Sequence, residues 1–408
     1  MKYLVELQNP GKMNNNLSLI FLLFVSGLIL PSCNKGKTSG LADVDIVAVR
    51  VKCGTSDLIS CDLSRLKDTL HLPLSLFIED LQMVRLDNRD EALVSGGSTI
   101  ITDNYILVRN QRNDPFKLFD KNGKFLTAVG SYGQGPGEYM NVYDEWMDEK
   151  SGLIFILPWQ TDKLLRYNLK GEPLDPIPLR YRVPKGKIFV DAGQSHVSVF
   201  LLPFAGIPVV AWTQDFAGNM LDSIPAGHLS VQPDFSNEVF SGKNSGAFDC
   251  SLFTYFELRP DTLYHYNTTA NHLDPIFTLD FKDKPRKIHW YEELPAHFTG
   301  SVTIEKKLSD NLSVTEYPAN FIVEKKTLRG AYYKLYNDFL GDLPVLWASF
   351  NHGYYVWNVD PGEMAEMLTQ HLNENKMLSD KDRRKLTEML DSIDVNDNNY
   401  LFFGKLRQ

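Results

Sequence analysis

Two stretches of this chain repeat each other at a fixed distance. Tyr105-Ile106-Leu107-Val108 aligns with Leu153-Ile154-Phe155-Ile156, and Phe119-Asp120-Lys121-Asn122-Gly123 aligns with Tyr167-Asn168-Leu169-Lys170-Gly171, both at an ungapped offset of 48 residues. Each unit consists of short apolar runs rich in β-branched and aromatic residues, divided by Asp, Asn and Gly turns. A repeat of this length built from strands and turns predicts sheet blades stepped around an axis. Asn122-Gly123 supplies the positive φ that a two-residue hairpin needs, and Gly171 and Gly218 fall at equivalent positions.

The first unit reads as four strands: Thr99 to Ile101, Tyr105 to Val108, Phe116 to Phe119 and Phe125 to Val129. A second unit runs from Glu145 to near Ile177, a third from Ile188 to Ile224, and a fourth is centred on Ser251 to Leu258 and Thr262 to Tyr266. The fifth, around Val302 to Glu324, is the least regular, and the sixth uses Leu346 to Phe350 and Tyr354 to Trp357. From Pro73 to Asp360 there are 288 residues, six periods of 48. The expected fold is all-β: a six-bladed β-propeller of four-stranded antiparallel blades over residues 61–360. Leu81 to Leu86 is expected to complete the last blade and leave no open ring edge. After Asp360 the pattern switches. Asp360-Pro361-Gly362-Glu363 joins an N-cap to a proline at the first helical position, and Ser379 opens a second amphipathic segment with Leu386, Met389, Leu390 and Ile393 on one face. Residues 361–408 therefore read as a short C-terminal helical appendage and tail.

The N-terminus indicates a compartment. Residues 17–30, LSLIFLLFVSGLIL, form an apolar run of 14 residues, short of the roughly 20 a spanning helix requires. Lys2 and Lys12 precede it, and Leu30-Pro31-Ser32-Cys33 closes it. This arrangement resembles a bacterial lipobox, which implies a signal peptide over residues 1–32, a lipidated Cys33, a flexible tether over 33–60, and attachment to a membrane without crossing it. Beyond residue 32 the chain carries 40 basic and 50 acidic side chains, a net charge of −10. Nucleic acid is not an expected partner. With Cys33 lipidated, Cys53 and Cys61 are the expected disulfide, and Cys250 reads as a buried strand residue.

Gly130-Ser131-Tyr132-Gly133-Gln134-Gly135-Pro136-Gly137-Glu138-Tyr139, following Phe119 to Phe125, together with the Asn398-Asn399-Tyr400 ending, resembles the NHL-like six-bladed β-propeller lipoproteins of Bacteroidetes. In that family acidic residues just after the lipidated cysteine usually mark surface export. Lys35 and Lys37 stand there in this chain, so the resemblance implies an outer-membrane lipoprotein facing the periplasm.

Candidate chemistry is sparse. The glycine-rich segment lacks a following helix and a Lys-Ser/Thr pair, so it is neither a P-loop nor a dinucleotide fingerprint. It reads as an inter-blade turn close to the channel mouth. Tyr132, Gln134, Glu138 and Tyr139, with Asp144 and Glu145 just after them and Trp159 in the next loop, are the candidate ligand-contacting residues. His265, His272, His289 and His297 lack metal-ligand spacing, Ser64-x-x-Lys67 lacks the other elements of its signature, and no cofactor is expected. The favoured function is a non-enzymatic binding or scaffold module for a peptide, glycan or envelope protein. The alternative is a polysaccharide hydrolase or lyase acting through Asp144, Glu145 and other channel-mouth carboxylates.

Overall fold

Antiparallel hairpins follow one another along the chain and stack as six sheets around one axis. The computed structural model describes residues 40–408, apart from 55, 111–113, 205, 256–260, 283–286 and 310–311. The signal-like segment and Cys33 lie outside the described residues.

The first blade contains Thr99–Ile101, Tyr105–Val108, Phe116–Asp120 and Phe125–Val129. The second contains Val142–Asp148, Leu153–Pro158, Thr161–Asn168 and Pro173–Val183, and the third contains Gly186–Asp191, His196–Leu201, Val209–Asp215 and Met220–Pro225. Glu238–Phe240, Asp249–Phe253, Leu263–Asn267 and His272–Asp280 make the fourth. The fifth is built on His289–Glu293, His297–Ser309, Leu312–Glu324 and Gly330–Asn337. Its two middle strands are 13 residues long, which breaks the period there. First strands of neighbouring blades pack together along the axis, as Val142–Asp148 does on Gly186–Asp191. Apolar clusters fill the gaps between blades.

The sixth blade closes the ring with both ends of the chain. Phe350–Asn351 and Tyr354–Val359 pair in sequence, Tyr400–Lys405 follows, and Gln82–Arg85 lies outermost with Arg85 opposite Tyr400. The N-terminal closure read from Leu81 to Leu86 is present. The C-terminal boundary moves, because Tyr400–Lys405 is an integral strand and not a tail. The two helices, Pro361–Glu374 and Asp380–Asp391, are an insertion between strands of this blade. Asp360 caps the first, accepting from the Gly362 and Glu363 N–H groups, and Ser379 caps the second.

Of the tether expected over residues 33–60, residues 41–60 are instead part of the folded unit. Leu41 and Val44 are buried, and Ser56–Asp62 runs parallel to His272–Asp280 at the outer edge of the fourth blade. Ala48–Cys53 pairs on its far side. Thr69–Pro73 then lies parallel to Gly330–Asn337 in the fifth blade before Gln82–Arg85 enters the sixth. One segment thus girdles three consecutive blades. The expected Cys53–Cys61 disulfide is corrected by the same pairing. Cys53 faces Ser56 at one end of the pair and Cys61 faces Ala48 at the other, and both are free thiols. The strand from Ser56, opposite Cys53, to Cys61 spans five residue steps at about 3.4 Å each, and an S–S bridge needs Cα atoms within about 7 Å. Burial pushes the Cys61 thiol up to about 12.

The repeated glycine now has a cause beyond the hairpin. Gly123, Gly171 and Gly218 have φ of 86°, 78° and 88°. Each presses against the outer strand of the preceding blade, at the carbonyls of Arg85, Ala128 and Pro178 respectively. Gly130 N–H donates to Gly171 O at 3.1 Å, and Asp87 N–H donates to Gly123 O at 2.9 Å. In the fourth blade Asn271 takes over the task, donating from Nδ2 to Ser223 O at 2.9 Å. A Gly171→Ala methyl would overlap the Ala128 carbonyl oxygen. It should cost about 2–4 kcal/mol in chemical denaturation, through left-handed strain plus overpacking. Gly227→Ala, at φ 50° with open space around it, should lose about 1 kcal/mol.

Candidate functional site

The connection from the first blade to the second, residues 130–141, is braced from within. Tyr139 is buried; its hydroxyl donates to Val129 O at 2.6 Å and accepts from Phe116 N–H at 2.8 Å. Its ring meets Phe116 and Tyr167 edge-on, and burial holds its phenol well above the usual range. Tyr167 OH donates to Gly137 O at 3.1 Å. The Glu138 carboxylate turns back to accept from Gly135 N–H at 2.8 Å, a turn that leaves no room for a side chain on Gly133. Glu138 and Tyr139 therefore hold the loop, and the glycines are there because neighbouring groups occupy the space a Cβ would need.

This braced loop forms one wall of a groove of about 1000 Å³. Lys163, Leu165, Pro173 to Pro176 and Trp159 complete its lining. Gln134, Glu138, Tyr139 and Trp159 are thus brought together, whereas Tyr132 is exposed outside the lining. Trp159 meets Phe235 at 6.3 Å and 84° between planes. Phe235 sits on the connection from the third blade to the fourth, and the buried Lys185 pins that connection. Lys185 Nζ donates to Phe235 O at 2.6 Å, to Asn237 O at 2.7 Å and to Glu238 Oε1 at 2.6 Å.

Asp144 and Glu145 do not join the groove. Both are buried near the axis. Asp144 Oδ2 accepts from Lys243 Nζ at 2.8 Å and from Ile188 N–H at 2.7 Å, with Lys187 Nζ at 3.5 Å from Oδ1. Burial works to raise this carboxyl, but the two ammonium groups and the Ile188 amide overcome it and leave it below the usual carboxylate range. Glu145 pairs with Arg109 at 3.0 Å. Both carboxylates are engaged in ion pairs, an arrangement that links blades and leaves neither free to act as an acid at a channel mouth.

Lys243 belongs to residues 241–248, which lie between the first two strands of the fourth blade and fill the axis. Its ammonium lies 5.2 Å from the Trp146 ring centroid. Trp146 packs edge-on against His352, which burial and the adjacent Lys243 hold down to about 3 and so keep neutral. Asn244 bridges blades, accepting from Gly353 N–H at 3.0 Å and donating to Glu292 Oε1 at 3.1 Å. Burial and the neighbouring Asp249 push Glu292 up to about 8. Its folded value lies above the unfolded 4.5, so the stability from its protonated form is full below about pH 4.5 and is lost as pH rises through about 8. The difference in melting temperature between Glu292→Gln and the parent should move in the variant's favour between pH 5 and pH 9. A constant difference would contradict the assignment.

Residues 58–405 match a family described as Domain of unknown function (DUF4934). The chain belongs to that family. Among solved structures, this DUF4934 chain is similar to a Bacteroides fragilis protein described as a candidate exported protein. The TM-score is 0.56 at 17% identity, over 86% of this chain and 100% of that one. A member of the DUF4221 family from Bacteroides vulgatus matches with a TM-score of 0.38 at 13% identity, over 81% and 97%. No curated protein matches the sequence. Sequence reasoning missed Lys243, Lys185 and Phe235 because each acts from an inter-strand connection with no repeat partner. The exposed Phe235 within Gln232-Pro233-Asp234-Phe235-Ser236-Asn237 was the one available signal, a lone aromatic in a polar turn.

Proposed function

We propose that this DUF4934 propeller is a non-enzymatic binding module of the cell envelope, exported and held on a membrane through Cys33, with its working surface at the groove beside Trp159. The observation that carries this reading is the preformed groove, whose wall is fixed by Glu138 and Tyr139 before any ligand arrives. Preorganisation of this kind lowers the ordering cost of binding. Export is supported by the lipobox-like segment and by the description of the Bacteroides fragilis relative. The basic residues after Cys33 favour the periplasmic side of the outer membrane.

Two measurements test it. Cys33→Ser should move the protein from the membrane pellet to the soluble fraction, and continued pelleting rejects the anchor. For the groove, the chain from Thr38 is screened by thermal shift and tryptophan fluorescence against oligosaccharides, peptides and divalent ions. Stabilisation without turnover, lost in Trp159→Ala, supports binding. Turnover of any stabilising compound, or a response that Trp159→Ala leaves intact, overturns the reading.

A further inference from the structure

The alternating strand directions of a propeller place the connections between blades, and those between the second and third strands of each blade, on one face of the disc. Turns between first and second strands and between third and fourth strands lie on the other face. Among the described residues, five aromatic side chains are exposed: Tyr132 at 37%, Phe235 at 81%, Phe240 at 38%, Trp290 at 38% and Trp347 at 67%. Tyr132 and Phe235 lie on inter-blade connections, and Trp290 is the second residue of a first strand, whereas Trp347 follows Leu343–Val345, a fifth strand on the edge of the fifth blade. The ring of Phe240 leans on Phe253, at the end of its second strand, so it points the same way. Tyr132, Phe235, Phe240 and Trp290 therefore belong to one face, as does Trp159 in the turn at residues 158–161. Exposed aliphatic residues show no such segregation: Val49, Val51, Met220 and Leu221 lie on outer strands around the perimeter.

Scattered exposed apolar side chains are ordinary, but a one-sided set of aromatic rings is not. The clearest case is Phe235. A large ring held in water is unfavourable, yet the buried Lys185 commits its ammonium to the turn that presents it, and that ammonium also lies 5.0 Å from the ring. Trp159, in the groove lining, completes an orthogonal pair with it. These rings do not form the continuous apolar core of a protein–protein interface. The Trp159–Phe235 pair stands among amides and hydroxyls: Gln134, Asn141 and Thr161 line the groove with Trp159, and the exposed Gln232 and Ser236 flank Phe235. Exposed flat rings with hydrogen-bonding groups beside them match a chain of sugar units, whose C–H faces stack on rings while its hydroxyls need donors and acceptors.

We infer that the aromatic face, with Trp159 and Phe235 as its nucleus, binds an extended, largely neutral glycan chain. This rests on the binding-module reading above and specifies its ligand class. A glycan of this chemistry has two sources, the cell wall and polysaccharide from outside the cell, and the test has an arm for each.

Residues Thr38–Gln408 form one compact unit, and the chain from Thr38 is used in both arms. The first is co-sedimentation with purified peptidoglycan sacculi. The second is electrophoresis through gels containing xylan, mixed-linkage β-glucan or dextran. Retention in either arm is expected, weakened about tenfold by Trp159→Ala or Phe235→Ala and unchanged in the perimeter variant Met220→Ala. Unaltered melting temperatures establish that the variants fold. Retention that ignores both ring variants, or no retention in any arm, overturns the glycan assignment. Photo-crosslinking in cells from benzoylphenylalanine at positions 132 and 290 separates the two levels of the argument. A discrete protein adduct without glycan retention overturns the glycan class and keeps the binding reading, whereas neither adduct nor retention removes both.

Discussion

Replacing Lys243 with methionine is expected to cost about 3–5 kcal/mol of stability, because it strands a carboxylate inside the propeller. Asp144 and Lys243 are 7% and 8% exposed, and the pair joins the second blade to residues 241–248 of the fourth. Without the ammonium, Asp144 keeps only the Ile188 amide and the more distant Lys187. The Lys243→Met/Asp144→Leu double variant should recover most of the loss, since two well-packed apolar groups avoid the burial of a charge. An exposed pair supplies the contrast. Lys52 and Asp57 lie 2.7 Å apart with side chains 77% and 43% exposed, and Lys52→Met should change stability by about 1 kcal/mol or less. A Lys243→Met loss as small as that of Lys52→Met would mean that the axial pair is hydrated.

A chain that begins at Asp87 should not fold. It lacks the closing strand Gln82–Arg85 and also Leu72, Leu74, Phe77, Ile78 and Leu86, each 3% exposed or less. At about 1.5–3 kcal/mol for each large side chain buried, these five alone contribute about 7–15 kcal/mol, comparable to the whole stability of a domain at about 5–15 kcal/mol. Beginning at Asp68 instead retains Thr69–Pro73 and the closing strand, so the ring stays closed, and removes the pair on the edge of the fourth blade with the buried Leu41, Val44, Val47, Ala48, Ile59, Cys61 and Leu66. That shorter cut should fold with a lower melting temperature. Cooperative unfolding and native near-ultraviolet dichroism in the chain from Asp87 would contradict the role given to the girdle.

The blades were legible because their information is local. Asn122-Gly123 and its equivalents set hairpins, hairpins set a period, and a period of strands leaves few architectures. The closing strand was legible for a related reason, since a ring needs a partner for its last edge. The girdle was not. Ser56–Asp62 and Thr69–Pro73 pair with strands more than 200 residues away; the first is short and rich in Asp and Ser, the second is five residues ending in proline, and neither carries the hairpin turn that marks a blade. The Cys53–Cys61 expectation failed because spacing along a chain says nothing about which end of an extended pair each cysteine occupies. At the site, Gln134 and Trp159 were readable as turn residues, the first exposed and the second half-buried. Tyr139 and Glu138 were found for the wrong reason: they brace the wall of the groove. Asp144 looked like an accessible acid because its partner, Lys243, is 99 residues distant.

Everything proposed for the aromatic face requires a ring that is rigid around its whole circumference, including the seam where the two chain ends meet. Hydrogen exchange of the ligand-free protein measures this directly. Amides of Gln82–Arg85 and Tyr400–Lys405 should open with free energies within about 1 kcal/mol of those in Leu153–Pro158, the second strand of an internal blade. Exchange at the seam more than about 2 kcal/mol easier than in that blade would show a ring that parts at its closure, and would contradict the account.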